Sequence, residues 1–169
     1  MPIATTRMHI KTSRSESQNP QPNSTWVRCT EAGNRQMQLG DLKAAQSFYR
    51  KALALAEKLI QPTMLQCQQP TSLIHLYLVS CNNLADSCQV LREPEEAEVS
   101  LLKAHSRMIV LMNNEGLSSP TRQAAYHGLR RAFNRLASFY SQTQKLEALT
   151  KVMVQTKLQS RRFVDNLVL

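Results

Sequence analysis

The sequence Ala32–Leu55, AGNRQMQLGDLKAAQSFYRKALAL, contains two segments of helical periodicity on either side of a Gly40-Asp41 turn. Small residues occur where two packed helices come closest, and large apolar residues lie between them. The small positions are Gly33, Ala45 and Ala52, and the large ones are Leu42, Tyr49 and Leu53. A helical hairpin with one apolar face cannot bury that face alone, so this stretch predicts further copies of itself.

Two further copies follow at intervals of 52 residues. The related positions are Gly33, Ala85 and Ala137; Ala45, Ala97 and Leu149; and Tyr49, Leu101 and Met153. The third copy is the least regular, because Gln144 and Lys145 replace the glycine and aspartate of the turn. The period predicts three helical hairpins in one chain.

The first copy resembles a tetratricopeptide repeat, the two-helix module of peptide-binding solenoids. The resemblance lies in the order GN, GDL, A, Y and KAL between Gly33 and Leu53. Units of that family contain about 34 residues, so the present units resemble enlarged ones, from about Asn23 to Val164. The resemblance implies an all-α fold of three antiparallel helix pairs, stacked as a right-handed solenoid. It also implies a scaffold that binds other proteins and is not an enzyme.

We expect one helical-repeat domain over 23–169, with units at about 23–61, 71–112 and 120–164. Residues 1–22 are polar and basic, and they end in Asn19-Pro20-Gln21-Pro22. This composition favours a disordered tail over an organellar transit peptide.

Proline and glycine mark the links between the helices. Pro62 and Pro70 bracket a long connector after the first unit. Ser119-Pro120 is expected to open the fifth helix as cap and first-turn proline. Gly116 is expected to be left-handed where the fourth helix ends.

Composition excludes several classes of protein. No apolar run reaches the roughly 18 residues that span a bilayer, and the start of the chain lacks a secretory apolar core. We therefore predict a cytoplasmic location and no membrane partner. The four histidines are scattered and no glycine-rich phosphate loop occurs, so we predict no catalytic residue and no cofactor.

The cysteines predict no metal site. Cys29, Cys67, Cys81 and Cys88 form no CxxC pair, and no histidine cluster accompanies them. Cys81 and Cys88 lie seven residues apart on one helix face, which indicates small core side chains in a reducing compartment.

Positive charge is concentrated towards the C-terminus. Of the net charge of +9, residues 1–25 carry +2, residues 26–61 carry +3, residues 62–119 carry −3 and residues 120–169 carry +7. Nucleic-acid binding is therefore one alternative function, since residues 120–162 hold nine basic residues and one glutamate. However, helical spacing assigns most of the interleaved aromatic residues to the core, which does not favour a base-stacking surface.

The resemblance also implies a ligand site. Chaperone adaptors of the tetratricopeptide family bind the terminal carboxylates of a peptide through Lys and Asn of the first unit, Asn of the second, and Lys and Arg of the third. The corresponding residues are Asn34, Asn83, Arg131 and Arg135, while Thr30 replaces the first lysine. Arginine binds carboxylates with two hydrogen bonds, and Arg131 and Arg135 share one helix face. We therefore expect these residues to bind an acidic or C-terminal peptide.

The function predicted from the sequence is a noncatalytic protein-protein interaction module, or adaptor. A secretion-type or assembly chaperone is a second alternative. Chaperones of that kind have similar size but are usually acidic, whereas this chain has a pI near 9.8. The apolar C-terminal end, with Phe163, Val164 and residues 167–169, has no downstream unit to cover it. Either it folds back on the last hairpin or it forms a homodimer.

Overall fold

The computed structural model describes residues 22–67 and 69–166, and over these ranges the chain is all-α. Its helices are α1 (Pro22–Leu39), α2 (Leu42–Leu59), α3 (Pro62–Cys67), α4 (Pro70–Val90), α5 (Pro94–Met112), α6 (Ser119–Gln142) and α7 (Leu146–Asp165). The predicted all-α class is confirmed. The six expected helices correspond to α1, α2 and α4 to α7, whereas α3, inside the connector, was not predicted. The tail before residue 22 and residues 167–169 lie outside the described ranges.

None of the helices in these ranges combines the length and the apolarity that crossing a membrane requires.

The same backbone turn joins α1 to α2, α4 to α5, and α6 to α7. Each turn contains one residue with positive φ: Gly40 (80°), Arg92 (60°) and Gln144 (58°). The next N–H donates to the carbonyl five residues earlier: Asp41 to Gln36 (3.0 Å), Glu93 to Cys88 (2.8 Å) and Lys145 to Tyr140 (2.9 Å). This is the long bond of a Schellman motif. The 52-residue period found in the sequence therefore recurs in the backbone geometry.

The link between α5 and α6 is built differently from the expectation. Gly116 does not have positive φ, so the prediction of a left-handed glycine there was wrong. Asn114 accounts for the difference, because its Oδ1 accepts a hydrogen bond from the Gly116 N–H at 3.0 Å and turns the chain locally. Ser118, and not Ser119, is the N-cap of α6, and its side chain accepts from the Thr121 N–H.

The long helices share one core. Contacts join α1 with α2, α2 with α4, α4 with α5 and α6, α5 with α6, and α6 with α7. The small residues at the predicted contact positions are buried, with Ala45 at 0% exposure and Ala52 at 1%. Trp26 is also buried and its Nε1 donates to Ser80 Oγ at 2.7 Å, which ties α1 to α4.

Most residues of the last helix, α7, are exposed. The buried residues of α7 are Val152, Thr156 and Phe163. Its exposed large apolar residues are Leu146, Met153, Val154, Leu158 and Val164. Met153 is half exposed, although its counterparts Tyr49 and Leu101 in the earlier pairs are buried.

Gly33 is required by the close approach of α1 to α2. A Cβ atom at this position would lie 2.5 Å from Tyr49 Cε1, inside van der Waals contact. Overpacking of this kind costs about 1–3 kcal/mol, against about 1 kcal/mol gained from the better helix propensity of alanine. We therefore expect Gly33→Ala to lower the midpoint of urea unfolding, followed by circular dichroism. Ser47→Ala, at an exposed position of α2, serves as the control and should change the free energy of unfolding by less than about 0.5 kcal/mol. Equal midpoints for Gly33→Ala and the wild type would contradict this packing.

His105 joins α5 to α7 as a neutral imidazole. Its Nε2 lies 2.7 Å from Thr156 Oγ1, and the Thr156 hydroxyl donates to the Val152 carbonyl at 2.7 Å. Thr156 therefore accepts from the Nε2–H of the ring. Burial lowers the pKa of His105 from its usual 6.5. Below pH 6.5 the unfolded chain binds a proton that the folded chain does not, so the stability contributed by this neutral histidine is lost as pH falls from there towards the folded pKa.

We expect wild-type stability to fall between about pH 7.5 and about pH 5.5, and His105→Gln to reduce that fall because glutamine does not titrate. Urea unfolding at both pH values measures the difference, and comparing the two proteins cancels groups that titrate in both. The same loss of stability in variant and wild type would show that His105 does not contribute.

Candidate functional site

Helix α6 presents the largest excess of positive charge. It carries Arg122, Arg130, Arg131 and Arg135 and no acidic residue. Buried positions recur along one side of the helix, at Ala125, Leu129, Ala132 and Leu136. This apolar stripe turns the opposite side, with the exposed Arg130 and Arg131, away from the core. Arg122 instead donates to the Met112 carbonyl at 3.0 Å. Of the described residues of the neighbouring α4, Asp86 provides the single carboxylate.

The two predicted asparagines have different surroundings. Asn34 is exposed, and its Oδ1 accepts a hydrogen bond from the Tyr49 hydroxyl at 2.9 Å. This bond joins α1 to α2, so Asn34 has a structural role. Asn83 is half-buried on α4, and its side chain has no hydrogen bond to any other described residue.

The two predicted arginines also differ. A guanidinium nitrogen of Arg131 lies 3.3 Å from Nδ1 of His75. Arg135 forms an ion pair with Asp86, while its Nε is buried and lacks an acceptor within the described part of the chain. Within the described residues, no hydrogen bond joins any two of the four predicted site residues. The structure thus brings Arg131 and Arg135 together on α6, with Asn83 on the adjacent helix and Asn34 on α1.

A cavity of about 340 Å³ lies between α4 and α6, and we call it the α4–α6 cavity. Its buried and half-buried apolar lining consists of Ile74, Leu78, Ala124 and Gly128. Its exposed polar rim consists of Thr71, His75, Gln123, His127 and Arg131. Of the described residues that line it, none is acidic. The cavity therefore combines an apolar floor with a positively charged edge.

Sequence reasoning did not assign His75 and His127 to a site. Both lie on the rim of the α4–α6 cavity together with Arg131. The signal was present, because His75 and His127 are 52 residues apart and occupy equivalent positions on α4 and α6. Equivalent positions on adjacent helices of a repeat lie side by side, so the period places these two rings at one groove.

A cavity of about 500 Å³ lies between α2 and α5, and we call it the α2–α5 cavity; its lining includes two basic and three acidic residues. Among its lining residues, Arg50 pairs with Glu96, and Lys103 with Glu57 at 3.4 Å. Nearby, Lys43 lies 2.6 Å from Glu93, and this contact is the main reason that the pKa of Glu93 is lowered. The α2–α5 cavity therefore has carboxylates of its own for its basic residues.

The cysteines of the core are not suited to nucleophilic chemistry. Cys81 and Cys88 are fully buried, and burial raises the pKa of the Cys81 thiol to about 12. Cys88, Glu93 and Glu96 bring potential metal ligands within 4.8 Å of one another. However, Cys88 Sγ accepts from Gln46, and the two carboxylates pair with Lys43 and Arg50. This group holds α2 against α4 and the start of α5.

Comparison with protein-family models identifies the family to which the chain belongs. The model of a family described as "Protein of unknown function (DUF2753)" matches residues 24–165, which include all six long helices apart from the first two residues of α1. The chain belongs to this DUF2753 family. No curated protein and no solved structure matched this DUF2753 chain.

The contacts predict different effects for the two asparagines. Asn34→Ala removes the acceptor of the buried Tyr49 hydroxyl and should cost about 0.5–1.5 kcal/mol of unfolding free energy. Asn34→Asp keeps an acceptor oxygen and should lose less. Asn83→Ala breaks no hydrogen bond and should change stability by less than about 0.5 kcal/mol. Urea unfolding of the three variants measures these effects, and a larger loss for Asn83→Ala than for Asn34→Ala would contradict the assignment.

Proposed function

We propose that this chain is a noncatalytic protein-binding module of the tetratricopeptide-like kind. Its three helix pairs, α1–α2, α4–α5 and α6–α7, pack antiparallel and stack as a right-handed solenoid. A peptide or protein segment with an acidic or C-terminal carboxylate group binds across α4 and α6.

Helix contacts and the repeated turn support this arrangement. The Tyr77 hydroxyl donates to the Lys103 carbonyl, and Ser100 Oγ donates to the Cys81 carbonyl. These partners run in opposite order along α4 and α5, as in an antiparallel pair. The left-handed residue at the same place in each pair gives the three units the same connection.

The observation that carries the proposed ligand is the charge on α6. Arg131 is exposed at the rim of an apolar cavity, and within the described residues it forms no ion pair. A guanidinium in this setting binds a carboxylate with charge-assisted hydrogen bonds, each stronger than a neutral one. An acidic or carboxylate-terminated segment is therefore the complementary partner.

A pull-down from lysate of the source organism tests the proposal with the wild type and with Arg131→Ala/Arg135→Ala. The double variant should lose the bound protein by at least about tenfold, since it removes the charge-assisted contacts that Arg131 offers a carboxylate, together with the neighbouring charge of Arg135. Its helicity should be unchanged, because neither substitution alters the buried apolar residues of α6. Peptides from the captured partner, synthesised as free acid and as amide, then test the need for the carboxylate.

Lys151→Ala/Lys157→Ala is the matched control, because it removes the same charge from exposed positions on α7. It should retain the partner. Equal losses in both double variants, or recovery of nucleic acid that modest salt releases, would instead assign the chain as a basic nucleic-acid binder. Recovery of the chain alone would assign the exposed apolar residues of α7 to a homodimer.

A further inference from the structure

The α4–α6 cavity differs from the α2–α5 cavity because its arginine, Arg131, has no carboxylate partner among the described lining residues. In the α2–α5 cavity Arg50 and Lys103 already have carboxylate partners. In the α4–α6 cavity Arg131 lies beside two histidines, and none of the described lining residues is a carboxylate. Positive charge without a counter-ion at the edge of an apolar surface attracts an anion.

Arg131 and Arg135 are separated by one turn of α6 but are not equally available. The Arg135 guanidinium donates to Asp86, so an external carboxylate has to displace that ion pair. The contact of Arg131 is with a ring nitrogen of His75 at 3.3 Å, which does not neutralise its charge. Arg131 is therefore the arginine that binds an external anion without breaking an ion pair, whereas Arg135 holds α6 against α4.

Tight packing fixes the floor of the cavity. A Cβ atom on Gly128 would lie 2.6 Å from Met108 Sδ and 3.2 Å from Ile74 Cγ2, so α6 approaches its neighbours closely here. Ala124, one turn earlier, is half-buried and small, so its side chain occupies little of the space between α4 and α6. The volume of about 340 Å³ is at the lower end of the range for ligand sites, which suits one residue of a peptide.

We propose that the α4–α6 cavity binds the C-terminal residue of a partner protein in which that residue is aliphatic. Such a residue has both a free carboxylate and an apolar side chain. An internal Asp or Glu has a carboxylate but no apolar side chain. The carboxylate accepts hydrogen bonds from Arg131, and ring N–H groups of His75 and His127 lie on the same rim. The aliphatic side chain packs on Ile74 and Leu78.

This inference rests on the proposed function and narrows its ligand. It also assigns different roles to the two predicted arginines: Arg131 contacts the ligand, and Arg135 acts in the packing of α4 against α6.

The probe is N-acetyl-L-leucine, added to the full chain and followed through backbone amide shifts in NMR. We expect saturable shifts around Gly128 with a dissociation constant of about millimolar, as for a ligand of this size. N-acetyl-L-leucinamide lacks the carboxylate and should bind at least about tenfold more weakly. Inorganic phosphate supplies an anion without an apolar body, and it should also bind at least about tenfold more weakly.

Three variants separate the parts of the site. Arg131→Ala should weaken N-acetyl-L-leucine at least about tenfold, and Arg135→Ala should keep the affinity within about threefold. Ala124→Leu fills the cavity and should abolish binding although Arg131 remains. Arg131→Lys, which keeps the charge, should retain part of the affinity and shows that the site itself is intact. Circular dichroism and thermal unfolding establish that each variant is folded.

Several results would overturn the inference: no saturable shifts, equal binding of phosphate or of the amide, or a larger loss with Arg135→Ala than with Arg131→Ala. The inference and the proposed function fail separately. A captured partner that still binds Arg131→Ala and Ala124→Leu, together with a probe that does not bind, removes the inference and leaves the protein-binding function. A probe that binds as expected, without any captured partner, leaves the cavity site and removes the proposed function.

Discussion

The backbone hydrogen bond that closes each helix pair sets the position of the side chains that follow it. This bond requires a left-handed residue just before its donor, and glycine adopts that conformation at little cost. Arg92 and Gln144 adopt it too, at a cost of about 1–2 kcal/mol for a side chain with a Cβ. Packing of the two joined helices has to offset that cost. Three different residues adopt the same left-handed conformation. The turn is therefore determined by the packing of the two helices as well as by the residue at its centre.

Ion pairs across α2, α5 and α7 determine where positive charge remains. Glu96 of α5 pairs with Arg50 of α2, and Glu98 pairs with Lys145 at the start of α7. Exposed pairs like these contribute little stability, about 0–1 kcal/mol each. Their larger effect is on the distribution of charge, because these two glutamates of α5 are paired with basic residues of α2 and at the start of α7 and not with those of α6. The outer side of α6 is left with basic residues and few local carboxylates.

Much of the fold was predictable because the period of 52 residues specifies which helices are equivalent and where the turn within each pair lies. The features of the fold that were not predicted depend on local interactions in the links between helix pairs. The side chain of Asn114 replaced the expected left-handed glycine, and α3 formed in a connector without a repeat equivalent. Neither depends on hydrophobic periodicity.

The candidate site was predictable to a smaller degree. Helical spacing indicated that Arg131 and Arg135 share a face of α6. It did not indicate that Asp86, 49 residues away, would pair with Arg135, since that choice depends on how two helices pack side by side. The two rim histidines were detectable from the period, which relates His75 directly to His127. A repeat register therefore predicts which positions are neighbours better than it predicts which charges pair.

Helix α7 has three buried residues over its described length, and it contacts α6 beside the candidate site. Polar contacts hold α7 to α5 at its start, middle and end, through Lys145, Thr156 and Gln159. Helices with few buried apolar contacts open at lower free energy than the rest of a domain. The walls of the α4–α6 cavity belong to more deeply buried helices, and Met108 of α5 packs beneath Gly128. Local opening of α7 leaves that packing in place, but it removes Phe163 from its stack on Tyr126, which adjoins the rim residue His127.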